Sequence, residues 1–152
     1  MITAVLFVLQ MACAQHDHDM DHRGDQAMGF SQHAAKHTFR LLRDGGAIEV
    51  RASDAKDAKS VDAIREHLRI IATSFAEGDF AKPMFIHDRI PDCAKEMKEL
   101  RDGIAYRYEE LPSGGRVRIT TKDSRALDAV HRFLIFQIEE HKTGDSKEIE
   151  RP

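Results

Sequence analysis

Apolar and polar residues alternate with a period of two in four short runs, and recur at helical spacing in two long ones. His37 to Arg43 alternates, with His37, Phe39 and Leu41 on one face. Ala47 to Ala52 alternates in turn, with Ile48 and Val50 inward. Asp44-Gly45-Gly46 between them reads as a hairpin turn. Val61, Ile64, Leu68, Ile71 and Phe75 then mark one stripe of a helix. It follows a polar lead-in at Ser53 or Asp54, runs to about Glu77 and closes at Gly78. A connector centred on Pro83-Met84-Phe85-Ile86 leads to a short helix from Pro91 to about Asp102, with Cys93, Met97 and Leu100 inward. Ile104 to Leu111 and Arg116 to Thr121 read as two further strands around a turn at Pro112-Ser113-Gly114-Gly115. Asp123 or Ser124 caps a second long helix, whose stripe is Leu127, Val130, Leu134 and Ile138, widened by Phe133, Ile135 and Phe136.

The two halves match. FRLLRDGGAIEVRASD (39–54) and YRYEELPSGGRVRITTKD (106–123) each carry an Arg-bearing strand, a Gly-Gly pair, an alternating strand and an Asp before a helix. The expected fold is α+β: two ββα repeats forming a four-stranded antiparallel sheet, with both long helices on one face and a short connecting helix. Aligning the helices by a shift of 66 sets Ile71 and Phe75 against Gln137 and His141. Aligning the hairpins by 69 sets His37 against Tyr106. His37, Gln137 and His141 are therefore polar residues at inward positions, and such local inconsistencies mark functional sites or satisfied core groups.

The flanks differ from this core. Residues 1–14, MITAVLFVLQMACA, are too short an apolar run to span a bilayer. With the small-x-small step Ala12-Cys13-Ala14 they read as a signal peptide cleaved after Ala14, implying export to the periplasm or beyond. Residues 15–36 have no apolar period and read as a mobile tail, 37–145 as the single domain, and 146–152 as a disordered C-terminal tail. After cleavage one cysteine, Cys93, remains, so no internal disulfide forms. The net charge of −3 argues against a nucleic-acid binder. No segment suits stable membrane insertion, and a homodimer through the sheet is open.

Candidate chemistry lies mainly in the histidines. His16, His18 and His22 stand among aspartates in the tail, and imidazole with carboxylate suits copper(II), zinc or nickel. Candidate ligands in the domain are His37, His67, His87, His131 and His141, with Met28, Cys93 and Met97 as soft ligands. His67 and His87 are the first pair to test. The outer sheet face carries Arg40, Arg107, Arg116 and Arg118, which could grip a small anion bidentately or pair with Glu49 and Glu109. No nucleophile elbow, phosphate loop or HExxH is present, so an enzyme is the least supported class.

The chain also resembles a family of small, largely uncharacterised exported bacterial proteins over about residues 27–145. The resemblance rests on Met28-Gly29-Phe30, His37 with Phe39, Asp44-Gly45-Gly46, His67-Leu68, Pro83 with His87, and HRFLIFQIEEHKTGD. The family carries two adjacent histidines before the first strand's Phe, where this chain has His37-Thr38. The resemblance implies export and one compact domain. It implies no reaction.

Overall fold

The computed structural model describes residues 34–81 and 91–151. Expectations for the signal peptide, the tail to residue 33 and the centre of the connector lie outside the described residues. In chain order the elements are β1 (Ala35–Leu42), β2 (Gly45–Ala52), α1 (Ala58–Ala76), α2 (Asp92–Glu99), β3 (Ile104–Leu111), β4 (Gly114–Thr121) and α3 (Ser124–Glu140). The four strands make one antiparallel sheet in the order β1-β2-β4-β3. With three α-helices among the described residues, the architecture is α+β. Among the described residues no helix is long and apolar enough to cross a membrane.

Local chemistry explains the helix ends. Asp57, rather than Ser53 or Asp54, caps α1, and its carboxylate accepts the Ser60 N–H. The Asp123 carboxylate accepts from Arg125 and Ala126 at the start of α3. Gly78 follows the α1 cap at φ of 76° and Lys142 follows the α3 cap at φ of 51°, the left-handed conformation that turns a chain off a helix end. Gly144, two residues beyond Lys142, is left-handed again at 74°, and Gly78 and Gly144 are each followed by an aspartate, Asp79 or Asp145.

The Gly-Gly pairs are not turns. The hairpin loops are two residues long, Arg43-Asp44 and Pro112-Ser113, and all four glycines lie in β2 and β4. Their lack of a side chain allows close approach in the centre of the sheet. A Cβ on Gly46 would sit 2.2 Å from Leu134 Cδ1, and one on Gly115 would sit 3.0 Å from Leu68 Cδ1. Leucines of α3 and α1 thus rest on bare backbone. Between the helices Phe75, Phe80 and Phe133 form an aromatic cluster, with Phe75 edge-on to Phe133 at 5.7 Å and stacked on Phe80 at 4.5 Å. Phe80 was not apparent as a core residue because it lies beyond the end of the helical stripe.

Residues 146–152 read from the sequence as a disordered tail. It forms neither helix nor strand, yet it is strapped along β1: the Glu150 N–H donates to Leu41 O at 2.9 Å, and Arg40 grips the Glu150 carboxylate with two nitrogens. An exposed strand edge presents unpaired backbone groups that favour such cover.

Candidate functional site

The fold brings two of the predicted histidines together. His37 points inward from β1, and His141 stands at the C-terminal cap of α3. Their rings lie nearly parallel, 5.3 Å between centres, with Phe39 5.6 Å from His141. The loop after α3 closes the group. Asp145 accepts the Phe39 N–H at 2.9 Å and the Thr143 hydroxyl at 2.7 Å, so its carboxylate fixes this loop to the edge of β1. Gln137, one turn before His141, is buried.

Burial sets the charge of His37. Loss of water disfavours imidazolium, and the pKa falls from the ordinary 6.5 to about 4. His37 is therefore neutral at pH 7, with a lone pair that needs no deprotonation. The same shift makes stability depend on pH. Below 6.5 the unfolded chain binds a proton that the folded chain refuses, so stability falls with falling pH until about 4 and then levels. The expected loss across that window is about 3 kcal/mol. His37→Gln should flatten it, as measured by urea unfolding at a series of pH values.

The other candidates are dispersed. Nε2 of His131 lies 2.9 Å from both Leu42 O and Gly45 O. Carbonyls only accept, so this nitrogen carries its hydrogen and ties α3 to the first hairpin. It has no lone pair for a metal. His67 is buried on α1. Cys93 and Met97 are buried on α2, and desolvation raises the Cys93 thiol above its ordinary value, away from a reactive thiolate. His16, His18, His22, Met28 and His87 lie outside the described residues. Among the described residues no group of three or more His, Cys, Asp or Glu is placed to hold a metal ion.

The outer sheet face is a lattice of opposite charges. Glu49 is buried there and takes Arg40, Arg51 and Arg116. Glu109 takes Arg107 and Arg116. Arg118 bonds to Asp44 and to Gly46 O. Each of the four arginines considered for anion binding is thus engaged with a carboxylate, and an anion would have to displace one.

Sequence reasoning missed Asp145 and Glu150, which hold the C-terminal chain against β1. A signal for the first existed in the matched Gly78-Asp79 and Gly144-Asp145 pairs. Glu150 carried none, since a single charge in a polar tail has no period. On the far side of the sheet, Tyr106 and Tyr108 lie beneath α1 with Arg69 4.7 Å above the Tyr108 ring, beside a shallow recess of about 630 Å³. Comparison with known families, curated proteins and solved structures finds no match to this chain.

Proposed function

We propose that this is an exported transition-metal-binding protein, for copper first and zinc or nickel second, serving sequestration or delivery. The observation that carries the reading is the His37–His141 pair, assembled from opposite ends of the domain. A metal–imidazole bond of about 2.0–2.1 Å puts each ring centre roughly 3.2 Å from the ion, so two rings on one ion have centres roughly 4.5–5.2 Å apart. The observed centre distance of 5.3 Å is close to that range, and the two rings, which lie nearly parallel, would have to turn so that one lone pair of each points at the ion. Two imidazoles do not complete a site. His16, His18 and His22 precede β1 in the chain, and β1 is where His37 stands, so the remaining ligands would come from the tail. Neutral His37 would bind the ion without releasing a proton.

The test is titration of the full chain with copper(II), zinc and nickel. We expect one tight ion, with affinity reduced at least tenfold, about 1.4 kcal/mol, in His37→Ala, in His141→Ala and in the triple His16→Ala/His18→Ala/His22→Ala variant. If the first-ion affinity is unchanged in both single variants, the folded domain takes no part and the reading is wrong.

We also infer that the chain is two ββα units related by a pseudo-twofold, with both long helices over one sheet face. The central register supports it: Gly46 pairs with Ile119 and Val50 with Gly115, positions that exchange under the shift of 69. Leu68 over Gly115 and Leu134 over Gly46 exchange in the same way.

A further inference from the structure

The two edges of the sheet are treated differently. On β1 the outward backbone groups belong to Ala35, His37, Phe39 and Leu41, and two of these groups are taken: Asp145 accepts the Phe39 N–H, and the Glu150 N–H donates to Leu41 O. The second hairpin has the same two-residue loop, with Leu111 paired to Gly114 as Leu42 is to Gly45. The outward groups of β3 therefore belong to Tyr106, Tyr108 and Glu110. Among the described residues no backbone hydrogen bond reaches them. An eight-residue edge strand with alternating Tyr, Arg, Tyr and Glu is a template for another strand.

Charge chooses the occupant. We propose that β3 pairs antiparallel with β3 of a second copy, centred on Tyr108, joining two four-stranded sheets into one. In that register Tyr108 meets Tyr108, and Tyr106 meets Glu110 of the second copy, with N–H and C=O groups exchanged at each. Between these bonded pairs Arg107 falls directly opposite Glu109 of the second copy, twice over. Side chains at such non-bonded positions approach most closely, and opposite charges there stabilise while like charges repel. The alternatives do worse. Centring on Arg107 opposes two arginines, centring on Glu109 opposes two glutamates, and centring on Tyr106 sets Arg107 against Ala105. The Arg107 side chain is 76 % exposed and, among the described residues, is bonded only to Glu109, so it is available without disturbing the core. The twofold axis also brings the two recesses under Arg69 side by side.

The experiment measures the mass of the full chain by sedimentation equilibrium. Wild type should be a dimer at about 100 µM, with a Kd on the order of 10 µM for so small an interface. Arg107→Glu and Glu109→Lys should each be monomeric, their Kd at least tenfold weaker, because each sets like charges across the axis. Mixed together, the two variants should form a heterodimer, since both cross-axis pairs are then opposite in sign. Circular dichroism of each variant reports that it is folded. A monomeric wild type overturns the proposal, as does a dimer unmoved by Arg107→Glu. Failure of two folded, monomeric variants to associate on mixing overturns the Tyr108 register.

Discussion

Gly114→Ala lowers the stability of the domain by about 3 kcal/mol or more, a large part of the 5–15 kcal/mol typical of a domain. The reason is position, not conformational freedom. A Cβ at residue 114 would lie 2.0 Å from Val50 O and 3.0 Å from the Arg51 Cα. Both atoms are backbone in the neighbouring central strand, so no rotamer change relieves the contact. Either β2 and β4 separate at that end or the strand bends, and the Arg51–Gly114 pairing is lost. Gly45 stands in the corresponding place, with a Cβ 2.0 Å from Ile119 O. Gly103→Ala is the control. Its Cβ would meet only Asp123 Cβ, at 3.9 Å, so a change within about 0.5 kcal/mol is expected. Urea denaturation midpoints decide it. A Gly114→Ala protein with the wild-type midpoint would mean that the central strands do not lie this close.

Phe133→Ala costs about 3–5 kcal/mol. Phe133 is 1 % exposed, and its ring meets the edges or faces of both Phe75 and Phe80, at 5.7 and 5.8 Å. Truncation opens a cavity in the layer that joins α1 to α3. The two large aromatic side chains of Phe75 and Phe80 line it, and they cannot collapse into it without leaving their own contacts. Phe133→Leu keeps much of the volume and should cost about 1.5 kcal/mol. Thermal unfolding followed by circular dichroism would separate the two. Equal losses would show that the cluster is held by ring-edge geometry more than by filled space.

Much of the fold could be read from residue pattern alone, because periodicity reports directly on burial. Ile104 to Tyr108 alternates between inward and exposed positions, and the strand continues to Leu111. Val61, Ile64, Leu68, Ile71 and Phe75 are all buried on α1. The glycine pairs were misplaced for a physical reason. Gly-Gly permits both a tight turn and a close approach of backbones, and only the partner strand and the leucines above it distinguish the two. The site was legible in part. Repeat alignment singled out His37 and His141 as polar residues at inward positions, and they stack. It could not rank that pair above His67 with His87, since a contact between residues so far apart in sequence depends on how α3 lies against β1. His131 illustrates the opposite limit. Its role follows from two carbonyl oxygens that have no sequence signature.

The C-terminal strap has a consequence for how far assembly can go. A sheet with two sticky ends adds copies head to tail without limit and grows into a filament. Here Asp145 plugs the Phe39 N–H, and Glu150 plugs the Leu41 carbonyl while its carboxylate locks onto Arg40. That edge of the sheet is thereby blunted over Phe39 to Leu41. A molecule with a single adhesive end can join only one other, and growth terminates at the pair. Under the β3 pairing proposed above, the segment that carries Asp145 and Glu150 acts as a stopper and sets the valence of the molecule, although it contributes little to the core.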